Sequence, residues 1–560
     1  MESSSQAQGR GFTLTQWLVL AVAAVGFLFD TYELLMTPLV GVPAIAELLK
    51  LPPNHPAVTE WMGRMLWMTA LCGGVFGLIG GWLIDRFGRK KILALSIFAY
   101  ALSPFAAAYS TTLPMFVFFR CTTFIGVCVE FVAAITWLAE LFPHNREKVL
   151  GWTQAFASLG GVFVTAVAAW INVHSATLPA LSVPEAFSAH APWRYILMTG
   201  LAPAIVIALA LPFVPESPVW KEKRVAGTLK RPSFGELFAP ALRRTTLVTA
   251  ALSACAYAAA FGALQITTRS IVPGLPELKQ PQAELAPLRA EAAKLNADMD
   301  KVMPGFEQAT KDVPGLDVVA ADRAKNRIAF RAAMKAGNSN QVATLAGDFK
   351  KLGAKLDELT ASKPEAKQSV TNREAILRAL GDNREKQTPL QSQILARGEE
   401  VQMRQETGGL IGRIILAILV VTIASKRTLL RVFVIPGLAV LPLTYFSLYH
   451  QSASVFAWGI FACGLLVVAQ FSYFGEYLPK VFPMHLRGTG GSFATNVGGR
   501  MIGTSAAFLT TNVIAPMFAA KPTADHYAMA AGIVGTAVFA LALILTFALP
   551  EPKEETSAAS

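Results

Sequence analysis

The sequence predicts an all-α membrane protein with twelve transmembrane helices in two six-helix halves and a helical insert outside the membrane. Three observations support this prediction. The chain is 53% hydrophobic and only 15% charged. It contains repeated apolar runs of about 20 residues, the length that crosses about 30 Å of hydrocarbon. Its Lys and Arg residues cluster in short loops on one side of these runs, which is typical of cytoplasmic loops.

The apolar runs form two sets of six. The first set lies near 15–37, 61–84, 92–109, 114–138, 151–172 and 194–213. The second set lies near 245–267, 408–424, 432–449, 454–475, 490–515 and 528–549. The ends of the two sets also echo each other, because Pro215-Glu216-Ser217-Pro218 follows the sixth run and Leu549-Pro550-Glu551-Pro552 follows the twelfth. The repeat predicts two related halves that move about a central site.

Loop charge predicts the orientation of the chain. The loops expected to face the cytoplasm contain Arg86, Arg89, Lys90, Lys91, Arg146, Lys148, the stretch 221–244, Lys426, Arg427, Arg431 and Arg487. The short loops on the other side are almost free of Lys and Arg, so both termini are expected in the cytoplasm. The predicted domains are an N-terminal half at 1–213, a cytoplasmic central loop at 214–244, a C-terminal half at 245–270 and 407–552, an insert at 271–406 and a cytoplasmic tail at 553–560.

The insert at 271–406 is too long for an ordinary loop and has helical periodicity. One apolar series spaced by three and four consists of Leu285, Leu288, Ala292, Leu295, Met299 and Val302. A second consists of Val342, Leu345, Phe349, Leu352, Leu356 and Leu359. These series predict a coiled-coil-like hairpin or small bundle. Its apolar faces could close on each other or dock a periplasmic protein, and the sequence leaves both readings open.

Composition also excludes several classes of function. The net charge of +12 lies largely in the expected cytoplasmic loops, so it indicates topology and not nucleic-acid binding. The five cysteines fall inside apolar runs, where no disulfide framework or metal site is expected. The chain contains no phosphate-binding Gly-rich loop with its Lys, no His/Cys metal spacing and no nucleophile elbow. We therefore expect no enzyme, no catalytic residue, no metal and no cofactor beyond a proton gradient.

Both membrane halves, residues 12–267 and 408–552, resemble the major facilitator superfamily. The segment Gly81-x-Leu83-x-Asp85-Arg86-x-Gly88-Arg89-Lys90 is similar to that superfamily's signature loop, and Pro215-Glu216-Ser217-Pro218 is similar to the sugar-porter signature. Arg120 and Glu130 in the fourth run, with Glu140 at the end of that helix, resemble helix four of sugar porters and metabolite:proton symporters. The resemblance implies an alternating-access transporter, with Asp30 where proton-coupled sugar porters carry an aspartate. The seventh run lacks the paired glutamines of sugar porters.

The signature loop predicts a gate on the cytoplasmic side. Gly81 and Gly88 would allow close helix approach, while charged residues would pair with helix ends and acids. A purely topological basic turn is the alternative. The residues assigned to the gate are Gly81, Asp85, Arg86, Gly88, Arg89, Lys90, Glu140, Glu216, Glu476 and Arg487.

Ionisable residues inside the hydrocarbon are the candidates for proton coupling, because burying them is costly. Counting residues along the helices places Asp30 and Arg120 at nearly the same height, so we expect them to pair. A proton would bind Asp30 whenever the pair separates. The alternative is a static ion pair that holds two helices together. Glu33, which could instead be hydrated near the outer surface, and Glu130 are further candidate proton carriers.

A central cavity is expected to bind the solute through polar side chains from both halves. The candidates are Tyr32, Gln154, Tyr257, Gln470, Tyr473, Asn496 and Arg500. Arg500, near the middle of the eleventh run, could bind a carboxylate or phosphate, which favours an anionic solute. The alternative is an Arg500 that pairs with a carboxylate of the protein. Arg413 in the eighth run is a similar but weaker candidate.

These observations predict a secondary active transporter that moves a small polar metabolite, either sugar-like or an organic acid, together with protons. An efflux antiporter or uncoupled facilitator of the same fold is one alternative. A membrane-anchored assembly or binding protein that acts through the insert is another. The expected partners are the solute, protons and the lipid bilayer, with no nucleic acid. The protein is expected to be a monomer. A bacterial inner membrane is expected, since the chain has no Asn-x-Ser/Thr glycosylation acceptor.

Overall fold

The computed structural model describes residues 12–51, 56–184, 187–188, 190–335, 337–518, 520–521 and 523–552. It divides into two compact units, one formed by Met1–Pro276 with Gly398–Ser560 and the other by Glu277–Arg397. Among the described residues, eleven helices are long and apolar enough to cross a membrane. The predicted cytoplasmic tail at 553–560 lies outside the described residues.

The first four spans are single helices. They are α1 (Leu14–Leu49), α2 (Pro56–Phe87), α3 (Arg89–Ala107) and α4 (Leu113–Leu141). Their starts follow local rules: the Thr13 side chain forms a capping box with Gln16 at the start of α1. The side chain of Thr112 caps α4. The first span was expected to end near residue 37, but α1 continues through Pro38 and Pro43.

The fifth and sixth spans are divided helices. The fifth consists of α5 (Arg146–Ala155) and α6 (Ala157–His174), and the sixth consists of α7 (Pro192–Thr199) and α8 (Ala202–Ala210). The sixth was expected as one run at 194–213. Pro203 in the first turn of α8 cannot donate a backbone hydrogen bond to the preceding turn, which explains why the two pieces are separate. The short helix α9 (Pro218–Val225) follows in the central loop.

The second half completes the membrane unit. The seventh span begins with α10 (Arg243–Ala259) and continues in π-helical turns to Ile271. The eighth to tenth spans are the C-terminal part of α14 (Pro364–Thr422), α15 (Lys426–Pro442) and α16 (Ala453–Val481). The eleventh runs from α17 (Arg487–Ser492) through π-helical turns and α18 (Ala506–Phe508) to Phe518. The twelfth is α19 (Thr523–Ala548).

Glycine residues let the spans approach closely. A Cβ atom at Gly160 would lie 2.0 Å from the carbonyl oxygen of Leu28 in the first span. In the second half, a Cβ at Gly498 would lie 2.4 Å from the carbonyl oxygen of Ala250 in the seventh span. Small residues therefore bring together the first and fifth spans and, equivalently, the seventh and eleventh spans.

The second unit is a helical bundle with its own core. It contains α11 (Lys279–Asp312), α12 (Leu316–Lys335), α13 (Ser339–Thr360) and the first part of α14. Gly315 and Gly337, with φ of 81° and 67°, occupy the turns on either side of α12. The core is built from Phe306, Ala309, Val313, Leu316, Val319, Ala320, Leu356, Ala366 and Val370.

Candidate functional site

A buried ion pair joins the two halves at the centre of the membrane unit. Nη2 of Arg500 in the eleventh span lies 3.3 Å from Oδ1 and 3.4 Å from Oδ2 of Asp30 in the first span. Asp30 is 9% exposed and Arg500 is 4% exposed. Since the partners belong to different halves, any separation of the halves at this level must break the pair.

The guanidinium of Arg500 is fixed from several sides. Nη1 donates to the backbone carbonyl of Val127 at 3.0 Å and to Oδ1 of Asn496 at 3.4 Å. Asn496 in turn donates to the backbone carbonyl of Cys128 at 3.1 Å. The ring centroid of Phe131, in the fourth span, lies 5.8 Å from the guanidinium carbon of Arg500. Arg500 is therefore held in one orientation while its Nη2 faces a carboxylate.

The expected pair between Asp30 and Arg120 is wrong. Nη1 of Arg120 lies 3.7 Å from Oε2 of Glu33, and Nη2 donates to Oγ1 of Thr37 at 2.5 Å. The height estimate failed because α1 continues to Leu49, which places Glu33 and Thr37 level with Arg120. Glu33 is 1% exposed, so the alternative of a hydrated Glu33 is also wrong.

Glu130 of the fourth span is buried beside the first span. It is fully buried, and neither carboxylate oxygen has a hydrogen-bond partner among the described residues. A Cβ atom at Gly26, one turn before Asp30, would lie 2.5 Å from Glu130 Oε1. Glycine at position 26 therefore leaves the space that this carboxylate occupies. An ionised carboxylate here would lack direct compensation, which makes Glu130 chemically unusual in the membrane.

The other predicted solute residues do not all meet at this pair. The Tyr32 hydroxyl is 2.6 Å from Oγ1 of Thr199 in the sixth span. Tyr257 stacks on Phe261 with ring centroids 5.9 Å apart. A Cβ at Gly499 would lie 2.7 Å from Cδ2 of the Tyr257 ring, so this tyrosine contacts the eleventh span next to Arg500.

Gln154 lies at a contact between the fifth and tenth spans. Its side chain donates to the carbonyl of Leu150 at 3.0 Å, and its backbone carbonyl accepts from Nη1 of Arg413 at 2.6 Å. A Cβ at Gly475 would lie 2.2 Å from Gln154 Oε1. Gln470 donates to its own helix, so Gln154, Gln470 and Arg413 line helix contacts in this conformation.

Tyr473 is fully buried in the tenth span. Its ring stacks on that of Tyr477 with centroids 5.4 Å apart. Its hydroxyl has no hydrogen-bond partner among the described residues.

The signature loop closes against the start of the eleventh span. Asp85 Oδ1 accepts from the backbone amide of Gly488 at 3.0 Å, and Oδ2 accepts from the amide of Thr489 at 2.7 Å and its hydroxyl at 2.8 Å. A Cβ at Gly81 would lie 2.4 Å from the carbonyl oxygen of Gly488. An anion at a helix N-terminus is favourable, so Asp85 holds the two halves together here.

A second set of charges surrounds Arg89. Its guanidinium binds Glu140 in a two-point contact, with Nε to Oε2 at 2.9 Å and Nη2 to Oε1 at 3.0 Å. Nη2 also donates to the carbonyl of Met484 in the second half at 2.9 Å. Nη1 of Arg487 lies 3.5 Å from Oε1 of Glu140. The Ser217 hydroxyl donates to Oε2 of Glu140 at 2.5 Å.

Glu216 caps the third span. Its Oε1 accepts from the backbone amides of Arg89 at 3.0 Å and Lys90 at 3.1 Å. Gly88 precedes these residues with φ of 111°, a conformation that favours glycine. The side chain of Arg86 points elsewhere and stacks over Trp82, 5.0 Å from the ring centroid.

The second half repeats this arrangement. Glu551 accepts from the backbone amides of Lys426 at 2.9 Å and Arg427 at 3.1 Å at the start of α15. Glu476 contacts Lys480 and lies 3.9 Å from Lys426. The sequence echo between the two Pro-Glu motifs is therefore confirmed as a structural repeat.

Sequence reasoning missed Glu147, which links the halves. Its Oε1 accepts from Lys426 Nζ at 2.8 Å and from Lys480 Nζ at 2.5 Å. The signal is present in the sequence, because Glu147 lies between Arg146 and Lys148 in the first turn of α5. The positive charge of this segment predicts only the orientation of the chain. Thr489 was missed for a similar reason, since a hydroxyl at a helix start carries no charge signal.

Comparison with known proteins agrees with this architecture. A family model described as the Major Facilitator Superfamily matches residues 15–283. The chain also aligns over 96% of its length with the proton:xylose symporter XylE, with a TM-score of 0.54 at 16% identity and 96% coverage of that structure. Residues 15–283 are thus similar to the major facilitator superfamily, and the whole chain shares the fold of the XylE structure. The prediction of twelve spans in two six-helix halves is confirmed, and neither the relatives nor these structures are enzymes.

Several transporters are similar to this chain over part of their sequence. The cis,cis-muconate transport protein of Acinetobacter baylyi is 28% identical over 34% of this chain and 44% of its own length. The glucose transport protein of Synechocystis is 31% identical over 39% of this chain and 44% of its own. The arabinose-proton symporter of Bacillus subtilis is 28% identical over 30% of this chain and 35% of its own. The matches thus span less than half the length of these relatives.

A second solved structure supports the same fold. The structure of FucP in the outward conformation has a TM-score of 0.51 at 13% identity, covering 94% of this chain and 98% of its own.

Proposed function

We propose that this protein transports a small organic acid together with protons by alternating access. The observation that carries the proposal is the Asp30–Arg500 pair, in which a buried guanidinium binds a carboxylate at the contact between the halves. A site that holds the carboxylate of Asp30 can hold the carboxylate of a solute in its place. Charge-assisted Arg–carboxylate contacts are strong and directional, which favours an acid over a neutral sugar.

In this proposal, a proton and the solute act on the same pair. Protonation of Asp30 removes its negative charge and weakens its hold on Arg500. The solute carboxylate then takes the vacated position on Nη2, while Val127 and Asn496 keep the guanidinium in place. Because Asp30 cannot regain Arg500 until the solute leaves, binding of the acid and binding of the proton are linked.

Glu130 is the second proton carrier in this proposal. It is buried beside Gly26, one helical turn from Asp30, and its carboxylate oxygens have no hydrogen-bond partner among the described residues. A proton on Glu130 would remove an uncompensated charge from the hydrocarbon. Arg120 and Glu33 both belong to the first half, so their pair is assigned to holding the first and fourth spans together.

The signature loop is proposed as the cytoplasmic gate. Asp85 on the amides of Gly488 and Thr489, and Arg89 on the carbonyl of Met484, cross from one half to the other. Glu147 makes the equivalent link from the first half to Lys426 and Lys480. These contacts must break for the solute to leave on that side.

The relatives are consistent with a range of solutes. One is described as a cis,cis-muconate transport protein and another as an arabinose-proton symporter, so both acids and sugars occur among similar proteins. The positive charge of the short loops supports a chain with both termini in the cytoplasm. We propose a monomer in a bacterial inner membrane, as the sequence predicted.

A binding assay on purified protein tests the solute class. Protein thermal stability is measured with organic acids and with neutral sugars of similar size, for the wild type and for Arg500→Gln and Arg120→Gln. We expect the acids to stabilise the wild type and Arg120→Gln. In Arg500→Gln, the binding free energy of the acids should fall by roughly 1.5–3 kcal/mol, the value of a charged hydrogen bond. Equal stabilisation of all three proteins by acids, or stabilisation by sugars alone, would contradict the proposal.

A further inference from the structure

A basic cavity lies beside the signature loop, on the surface predicted to face the cytoplasm and away from the central ion pair. Its volume is about 350 Å³. Four cationic side chains line it, Arg86, Arg224, Lys230 and Arg231, and its described lining contains no Asp or Glu. Such a concentration of one charge around a concave surface attracts anions.

Aromatic contacts hold two of the three arginines of this cavity in place. The Arg86 guanidinium carbon lies 5.0 Å from the ring centroid of Trp82, and that of Arg224 lies 5.0 Å from the centroid of Trp220. A guanidinium over an aromatic face is restricted in orientation but keeps its N–H groups at the ring edge free to donate. This distinguishes the cavity from an ordinary solvated basic loop.

The same tryptophans fix the two walls of the cavity to each other. The Trp82 indole N–H, from the second span, donates to the carbonyl of Pro232 in the central loop at 3.1 Å. The Trp220 indole N–H, from the central loop, donates to the carbonyl of Asp85 in the second span at 2.9 Å. Each wall therefore contributes a tryptophan that is hydrogen-bonded to the backbone of the other wall, so the cavity is preformed.

Carboxylates of the protein neutralise only a small part of the positive charge of this cavity. Lys230 Nζ lies 2.6 Å from Oε1 of Glu236, which also contacts His485. Arg86 and Arg224 have aromatic contacts, and aromatic rings do not cancel a full positive charge. The cavity thus retains an excess of positive charge that an external anion can neutralise.

Apolar side chains beside the cavity are exposed. The ring centroid of Phe87 lies 5.6 Å from the Arg86 guanidinium carbon. Phe87 is 44% exposed and Phe234 is 40% exposed. Phe87 directly follows Arg86 at the end of the second span, so the cavity lies at the level where that span leaves the hydrocarbon. Basic residues at this level are attracted to anionic headgroups of the cytoplasmic leaflet.

We propose that this cavity binds a phosphate-bearing anion, with the guanidinium groups of Arg86, Arg224 and Arg231 donating to the phosphate oxygens. The phosphate belongs either to the headgroup of an anionic lipid or to a soluble phosphorylated compound, since both present the same chemistry to the cavity. A phosphate bound there bridges the end of the second span and the central loop. It strengthens the wall to which Asp85 belongs and does not take part in the central ion pair.

Native mass spectrometry of the full-length protein tests this site with two probes. Phosphatidylglycerol, compared with phosphatidylcholine, probes the lipid source, and inorganic pyrophosphate probes the soluble source. The cavity variant carries Arg86→Gln, Arg224→Gln and Arg231→Gln. The matched control carries Lys91→Gln, Lys148→Gln and Lys221→Gln, which remove the same charge from exposed residues of the same surface.

We expect the cavity variant to bind one of the probes more weakly than the control variant does, by roughly fivefold for each cation removed. Loss of phosphatidylglycerol binding identifies a lipid headgroup, and loss of pyrophosphate binding alone identifies a soluble ligand. Equal binding of both probes by the two variants would overturn the proposal. If circular dichroism and size-exclusion chromatography show that the triple variant is misfolded, Arg231→Gln alone replaces it, because its arginine has no stacking role in the walls.

Discussion

The contact between Asp30 and Arg500 joins the two halves, and in our proposal both the proton and the solute bind there. A pair inside one half could persist through an alternating-access cycle, whereas this pair must form and break as the halves separate. Two charges buried in hydrocarbon are costly apart, so each needs a substitute partner when the pair opens. A proton for Asp30 and a solute carboxylate for Arg500 are the substitutes that we propose.

A residue with a testable pH dependence is Glu236 in the central loop. The hydrogen bond from Lys230, with that from His485, holds the pKa of Glu236 below its usual 4.5. Because the ionised form has these partners only in the folded protein, the stabilisation is present above pH 4.5 and is lost as pH falls through the lowered pKa. At pH 6, Glu236→Gln should therefore unfold at a lower temperature than the wild type. This difference in unfolding temperature should shrink as the pH falls below about 4.5.

The size of this effect is small because the side chain of Glu236 is 23% exposed. We expect at most about 1 kcal/mol, the range of exposed ion pairs. Glu222→Gln serves as the control, since it removes an exposed carboxylate from the same loop. A difference between wild type and Glu236→Gln that stays constant from pH 6 to pH 3.5 would show that the pairs with Lys230 and His485 do not contribute.

Individual residues were predictable from the sequence to different degrees. Asp30, Glu130 and Arg500 could be identified as buried groups, because charge within an apolar run is conspicuous. The partner of Asp30 could not, since the sequence gives height along a helix but not which faces of distant helices meet. The first span was expected to end near residue 37 but ends at Leu49. This error led to the prediction of Asp30, instead of Glu33, as the partner of Arg120.

At the scale of elements, the two halves repeat one device at the start of the third and ninth spans. A carboxylate that follows the sixth or twelfth span, Glu216 or Glu551, caps the amides there. The sequence predicted this repeat because both carboxylates lie in similar Pro-Glu motifs. It did not predict that Asp85 would bind the start of the eleventh span, because backbone amides leave no pattern in the sequence.

Asp85→Asn tests the gate. An asparagine can accept through only one atom and presents an N–H₂ group to the amides of Gly488 and Thr489, so the contact should lose about 1.5–3 kcal/mol. We expect the cytoplasmic ends of the halves to move apart in a larger fraction of molecules. Distances between spin labels at Lys91→Cys and Thr428→Cys, in a background without the native cysteines, would report this change.

The control for this experiment is Glu60→Gln at the other end of the second span. Glu60 lies 2.5 Å from Arg64, and both side chains are more than half exposed, so their contact does not link the halves. The label distances in Glu60→Gln should match those of the parent protein. If Asp85→Asn also leaves the distances unchanged, Asp85 does not hold the gate closed.

At the scale of the whole molecule, the chain combines a membrane unit with a helical bundle that has its own apolar core. In the membrane unit, a Cβ at Gly398 would lie 3.1 Å from Cγ2 of Thr268, and Thr268 donates to Gln402 at 2.8 Å. The chain therefore leaves and re-enters the membrane unit at neighbouring positions. Periodicity predicted helices in this region, but apolar spacing alone could not distinguish a two-helix hairpin from four packed helices.

Excision of residues 277–397 tests whether the bundle takes part in transport. A short Gly/Ser linker can join the neighbouring ends, because loop closure of this length costs little free energy. We expect the shortened protein to fold and to retain most of the solute uptake, since the central pair and the gate contacts lie in the membrane unit. Loss of uptake in a shortened protein that remains monodisperse would instead make the bundle part of the mechanism.

The most direct test of the account is proton movement in reconstituted vesicles. Organic acids and sugars are added in turn to vesicles that contain the wild type or Asp30→Asn, and internal pH is recorded together with solute uptake. The account predicts that an organic acid drives proton uptake in the wild type and that this proton uptake disappears in Asp30→Asn. Solute uptake without proton movement in either protein, or undiminished proton movement in Asp30→Asn, would contradict it.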